Sequence, residues 1–349
     1  MSRTRIVYTI PNFKTAGSQH VVLSLYRRVD RFLFDPYICV EKYPEKIPED
    51  VPMDRRLVFE WGGNAFEDVR NFSYLLSTHK IDIVHSWDYK SNYLEPLASK
   101  IAGVSYLYTK KNSSWSKRWI LKSFLSDHIA YDNPEMKESF FSSRIYKKKI
   151  TFVPHGVDTN VFKPLEKIPT EFFNLVCIGN IENNKNQLFI IKALKDLPDN
   201  FILHLYGKED SDYKKLLEKY ILSTNLGKRI QFHGYIDNSR LPEIFRKIDV
   251  FVLASKKEGM PVSIMESLAC GIPVLCSDSG GGAKFVLSGG GGYIFDLANV
   301  RMMINHLERL AQNPEESILL SLEGRKNIEN NLSVQKEISS YEKLYLMVK

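Results

Sequence analysis

A chain of 349 residues is long for one core and comfortable for two domains. Its 44% hydrophobic and 26% charged residues exclude disordered and fibrous classes, and its strand-sized apolar runs exclude a membrane-spanning helix. The net charge of +7 lies wholly in residues 1–165, where 25 Lys and Arg face 18 Asp and Glu, so an anionic partner is expected for the first half.

The chain opens on RIVYTI, which reads as a buried strand, with no apolar leader or cleavage site before it. The loop PNFKTAGSQH and a helix over VVLSLYRRV follow. YICV is a second strand. NFSYLLSTHK is a helix that feeds IDIVHSW, a strand ending in polar residues. NYLEPLASKIAG is a helix and VSYLYTK the next strand. Strands alternating with helices predict a parallel sheet covered on both faces, with active groups beyond the carboxyl ends of its strands.

Residues 150–164 read as a last strand and a linker closed by Pro164. The rhythm then restarts. NLVCIGN, FILHLYG, IQFHG, DVFVLAS and IPVLCSD are strands; NKNQLFIIKALKDL, YKKLLEKYILSTN, RLPEIFRKI and VSIMESLACG are helices. Two Rossmann-like α/β domains are expected: 1–162, joined by a returning C-terminal helix at 333–349, and 163–332.

The stretch ASKKEGMPVSIMESLACGIPVLCSD places Glu258 and Glu266 eight residues apart around a helix entry. Pro261 suits the start of a helix, where amides are unpaired. The amides of Met260, Val262 and Ser263 would then form an anion site suited to a diphosphate. Glu266, one turn inside, is placed to accept two hydrogen bonds from a ribose diol. Glu258 would lie at the far end of the diphosphate, where a sugar is attached.

Read from Ser255 to Val274, this stretch closely resembles the donor-site motif of retaining glycosyltransferases of family 4 (glycosyl transferases group 1), which have the GT-B fold. That resemblance implies two Rossmann-like domains facing each other across a cleft. It implies Glu258 at the donor sugar, Glu266 on the ribose, and the backbone of Gly259, Met260, Pro261 and Val262 near sugar and phosphate. KKITFVPHGVDTNVFKP resembles the family's interdomain segment, with His155 in place of Asn. LVCIGNIENNKNQLFIIKAL resembles its diphosphate segment: Lys185 matches the lysine, while Asn180 stands where an arginine is usual. IQFHGYI (His233, Gly234, Tyr235) resembles the turn that meets the base. AGSQHVVLSL resembles the first glycine loop, with Gly17 nearest the donor, and SDSGGGAKFV the later one, with Lys284 where Glu is common.

Beside the reacting sugar the family often has a histidine; here Lys111, or Lys110 one residue earlier, takes that place. The resemblance implies a metal-independent transferase with no cofactor beyond its nucleoside-diphosphate-sugar donor, UDP favoured, and a glycan or lipid-linked acceptor. It implies a cytoplasmic enzyme, peripheral on the inner membrane face, working in surface polysaccharide synthesis. Rival readings are a GT-B epimerase and a non-catalytic sugar-nucleotide-binding protein. A dinucleotide-dependent oxidoreductase lacks its glycine fingerprint here, and nucleic-acid binding rests on charge alone.

In KKNSSWSKRWILKSFL, a helical wheel puts Ile120, Leu121, Phe124 and Leu125 on one arc, expected to face the core. Trp115, Arg118, Trp119 and Lys122 share the other arc, expected to form an exposed face for a membrane or anionic acceptor. His20, His85, His155 and His233 have no metal spacing; His85, ending a strand, is expected to touch acceptor or donor. Cys39, Cys177, Cys270 and Cys276 lack metal spacing and are expected as buried thiols.

Overall fold

The computed structural model describes residues 3–13, 18–88, 90, 92–112 and 114–349. The chain divides into two units: 1–154 with 337–349, and 155–336. The divisions fall after Pro154 and before Glu337, not at 162/163 and 332/333. Residues 155–162 belong to the second unit because Val157 bridges to Ser333 and Phe162 is buried in that unit's core.

The first unit runs β1 (Thr4–Ile10), α1 (Ser18–Arg28), β2 (Phe34–Val40), β3 (Arg56–Val58), α2 (Ala65–Thr78), β4 (Ile83–Ser86) and α3 (Leu94–Ile101). It continues with β5 (Ser105–Lys110), α4 (Lys117–Leu125), β6 (His128–Tyr131), α5 (Glu135–Phe140) and β7 (Ile150–Phe152). Its seven parallel strands are ordered β3-β2-β1-β4-β5-β6-β7. β1 and β2 are apolar on both faces and almost wholly buried, as a central parallel strand requires. α2 starts where the Asn64 side chain accepts from the Phe66 amide, with Glu67 and Asp68 in its first turn.

The second unit runs β8 (Phe173–Ile178), α6 (Gln187–Leu194), β9 (Phe201–Tyr206), α7 (Ser211–Ser223), β10 (Ile230–Phe232), α8 (Leu241–Phe245) and β11 (Val250–Leu253). It continues with α9 (Val262–Ala269), β12 (Val274–Ser277), α10 (Gly281–Leu287), β13 (Gly292–Phe295), α11 (Val300–Gln312) and α12 (Pro314–Asn331). Six parallel strands are ordered β10-β9-β8-β11-β12-β13. The order reverses between β8 and β11, the kind of switch point where open α/β sheets bind ligands.

The last helix, α13 (Val334–Val348), lays its tyrosines on the first unit's sheet. Tyr345 packs edge-on against Phe34 and shares a hydrogen bond between its hydroxyl and His85 Nδ1 at 2.7 Å, while Tyr341 meets Thr109 at 3.1 Å. Among the described residues no helix is long and apolar enough to cross a membrane.

Candidate active site

In the second unit β11 is followed by buried Ala254 and Ser255, and the chain loops through 256–261 into α9. Pro261 is the residue before the first helical turn, and no side chain caps it. The first amides of α9 therefore lack the side-chain acceptor that commonly satisfies a helix start.

Glu266 lies one turn inside and is 5% exposed. Its Oε1 accepts from the Asn238 amide at 3.0 Å, and burial pushes its carboxyl up to about 7. Asn238 lies in a one-turn helix after β10, opened by Asp237, whose carboxylate accepts from the Ser239 amide. Sequence reasoning missed Asn238, since nothing in a polar turn marks which residue will meet a glutamate 28 positions on.

Glu258 meets Lys185, whose ammonium donates to its carboxylate at 2.5 Å. Two hydrogen bonds align the loops that carry them: the Lys256 backbone amide donates to Asn184 O at 2.8 Å, and the Asn184 side chain donates from Nδ2 to Lys257 O at 3.0 Å. The Glu258 amide donates to Ser279 O at 2.9 Å, binding the α9 entry to the turn before α10. There the backbones are so close that a Cβ on Gly282 would lie 1.8 Å from Gly259 O, so only glycine fits. Lys284, placed where the family commonly has a glutamate, pairs with Asp278 at 2.9 Å.

The β10 turn lies beside β9. The His233 ring stacks on Tyr206 at 4.3 Å and meets His204 at 3.0 Å. Asn174 gives both amide hydrogens to Thr170 and Phe172, so its oxygen accepts from His204 Nε2. His204 Nδ1 is then an acceptor and His233 Nε2 its donor, a tautomer assignment that follows from the network. Burial and the neighbouring His233 and Lys247 push His204 down to about 4, which keeps the pair neutral. Gly234 has φ +70°, and Tyr235 beyond it is 67% exposed. Asn180 is exposed at the end of the β8 turn, its carbonyl held by Gln187. The second unit thus gathers Asn180, Lys185, Glu258–Val262 and Glu266 at the carboxyl ends of β8 and β11, with His233–Tyr235 after β10. Gly17 lies outside the described residues.

In the first unit two expectations fail. α4 is turned the other way round: Trp119, Lys122 and Ser123 are buried, while Ile120, Leu121 and Phe124 are exposed. The wheel weighs only the helix's own residues. What turns it is a pair of buried carboxylates on neighbouring segments, Asp88 and Glu95, each 3.9 Å from Lys122 Nζ. Buried carboxylates need a buried cation. Trp115 is likewise drawn in, stacked on Phe140 at 4.9 Å; Arg118 stays exposed. A tryptophan–cation face for a membrane therefore does not exist on this helix. His85 is not an open group at the end of its strand: it is fully buried, its Nδ1 on Tyr345 and its Nε2 on Thr109 at 2.9 Å, so it pins α13 to the sheet.

Of the two lysines after β5, Lys110 is committed to its own loop: its ammonium donates to Asn112 O at 2.5 Å and Ser114 O at 2.8 Å and lies 4.1 Å over Trp119. Burial pushes it down to about 7. Lys111 directs its ammonium over the Trp87 ring at 4.6 Å, and burial lowers it too. The four cysteines are free and buried. Among the described residues no group of three His, Cys, Asp or Glu is placed to hold a metal ion.

Two parallel-sheet α/β units, the second with an uncapped helix start after β11 and a buried glutamate one turn inside it, match the GT-B class. Solved structures share the fold over the full length. A Rickettsia africae glycosyltransferase matches at TM-score 0.86 and 15% identity, covering 100% of this chain and 99% of that one. Anabaena Alr3699/HepE in complex with UDP matches at TM-score 0.84 and 16% identity, covering 99% and 100%. The model of Glycosyltransferase Family 4 matches residues 15–161, and that of Glycosyl transferases group 1 matches 158–331. The chain belongs to this glycosyltransferase family. Among curated relatives, the Escherichia coli UDP-Gal:alpha-D-GlcNAc-diphosphoundecaprenol alpha-1,3-galactosyltransferase is 27% identical over 304 residues, 78% of this chain and 77% of that protein.

Proposed function

We propose that this glycosyltransferase moves a hexosyl group from a UDP-sugar to a hydroxyl of a glycan or lipid-linked acceptor in surface polysaccharide synthesis, with retention of anomeric configuration and without a metal. The observation that carries the reading is Glu266, buried one turn inside an uncapped helix start and held there by Asn238. A ribose diol donates two hydrogen bonds to such a carboxylate, and a diphosphate takes the helix amides. The UDP complex of a protein with this fold and the UDP-galactose donor named for the Escherichia coli relative both favour uridine. That relative's diphosphoundecaprenol acceptor favours a lipid carrier.

In this reading the bond from the sugar's anomeric carbon to the β-phosphate oxygen breaks, and a bond from that carbon to the acceptor oxygen forms on the same face. The acceptor proton leaves with the diphosphate. Charge grows on the leaving oxygens, and the α9 amides and Lys185 are placed to stabilise it. Glu258, the partner of Lys185, is then released to the donor sugar. Lys111 is the first unit's candidate for a contact with the reacting groups.

The test is product analysis. Incubation with UDP-glucose, UDP-galactose and UDP-N-acetylglucosamine and a lipid-linked acceptor, with EDTA, should yield one α-linked product by NMR. A β-linked product would overturn retention, and loss of activity in EDTA restored by a divalent ion would overturn metal independence. Nucleotide binding with no transfer to any acceptor would favour the non-catalytic binding protein.

A further inference from the structure

Helix α12 carries apolar residues on two sides. Its inner side is fixed in the second unit: Leu320, Gly324 and Ile328 are buried, and Asn327 donates to Val286 O at 2.8 Å. Arg325 donates to Phe162 O and to Ala269 O at 2.6 Å each. A Cβ on Gly324 would lie 2.7 Å from Leu268, so the helix is pressed against α9. Its outer side holds Ile318, Leu319 and Leu322, which are 60%, 55% and 64% exposed. A helix that is apolar all round is ordinarily covered all round.

The outer side is ordered along its length. Glu315, Leu319, Leu322 and Lys326 follow one another at steps of 4, 3 and 4 residues, and all four are exposed. On a helical wheel they fall within about 60° of one another, directly opposite Gly324. That is the spacing of the seam between paired helices. An anion closes one end of the seam and a cation the other, and neither makes an ion pair among the described residues.

Turned end for end, the stripe meets itself. An antiparallel copy centred between Leu319 and Leu322 sets Leu319 against Leu322 twice and Glu315 against Lys326 twice, with the two ion pairs about 16 Å apart along the helix. Ile318 flanks the apolar centre. A parallel copy would set like charge on like charge. A patch whose opposite charges are exchanged by a two-fold axis is complementary to its own copy. An anionic surface gains little from it, because Glu315, Glu323 and Glu329 share the exposed side with Lys326.

We infer that the protein forms a two-fold symmetric dimer through α12, with the stripe from Glu315 to Lys326 as its antiparallel seam. An isologous contact of this kind closes at two copies. One helix pair covers less than the roughly 800 Å² per partner of a standard interface, so the dimer is weak and depends on concentration. The seam uses no residue of the donor site.

The test is sedimentation equilibrium of the full chain from about 1 to about 200 µM, with circular dichroism to show that each variant is folded. Wild type should pass from monomer to dimer over that range and stop there. Leu322→Ser should weaken self-association about tenfold or more, since it takes an apolar residue from the seam twice. Glu315→Lys and Lys326→Glu should each weaken it about tenfold or more, since each sets two pairs of like charges together. The double variant Glu315→Lys/Lys326→Glu, which reverses both pairs, should return to within about threefold of wild type. Four results would overturn the inference: wild type monomeric at the highest concentration, growth beyond two copies, folded single variants that associate as wild type does, or a double variant no tighter than the single charge variants.

Discussion

Lys185 and Glu258 are 73 residues apart in sequence and 2.5 Å apart in space, each on the loop that leaves a central strand of the second sheet. Glu258 is thus the lysine's anionic partner. In the function proposed above, a diphosphate takes Lys185 from Glu258, and the released carboxylate is then free for the donor sugar.

That exchange predicts opposite phenotypes for the two partners. Lys185→Ala should weaken UDP binding about 10- to 100-fold, the loss of one charge-assisted hydrogen bond. Glu258→Gln removes the competitor, so UDP should bind as well as or better than in wild type while transfer falls at least 100-fold. Calorimetry and initial rates on the same preparations separate the two effects.

Glu266 predicts a proton. Burial holds its carboxyl at about 7, above the ordinary 4.5. Ribose hydroxyls donate to the ionised form and lower that value. UDP binding at pH 6.5 should therefore release part of a proton, seen as a dependence of the calorimetric enthalpy on buffer ionisation heat. Glu266→Gln should remove the Glu266 share of that release, leaving only what the terminal phosphate of UDP, with its own pKa of about 6, gives up on binding.

The same shift predicts a stability profile. The folded state favours the protonated acid, so the contribution of Glu266 is full below pH 4.5 and is lost as pH rises to about 7. The loss is about 3 kcal/mol. Urea unfolding of wild type should fall relative to Glu266→Gln across that window and run parallel to it above.

Lys122 holds two buried carboxylates in the first unit. Lys122→Met should cost about 3–5 kcal/mol, since it strands both charges. Ile120→Ser and Phe124→Ser, on the exposed side of the same helix, should change stability by less than about 0.5 kcal/mol. The reverse ranking in urea unfolding would mean the helix faces the other way.

The contrast within α4 shows what the sequence could carry. The longer strands with their intervening helices and the entry to α9 were legible because they rest on local periodicity and one uninterrupted motif; the short strands β3, β6 and β13 and the helices α10–α12 were not, the strands being only three or four residues each. The orientation of α4 was not, because Asp88 and Glu95 turn it from other segments. His85 looked like a substrate contact because it ends a strand, and its partner Tyr345 lies 260 residues on. Lys185 and Glu258 were each singled out from the sequence, but their pairing was not legible, since only the two loops that carry them bring them together.

The most direct test of the account is calorimetric titration of UDP into wild type and Glu266→Ala in EDTA. The account predicts one site in wild type and at least a 30-fold loss in the variant, the loss of two hydrogen bonds to a charged acceptor. Equal binding by both proteins, or none by wild type, would contradict it.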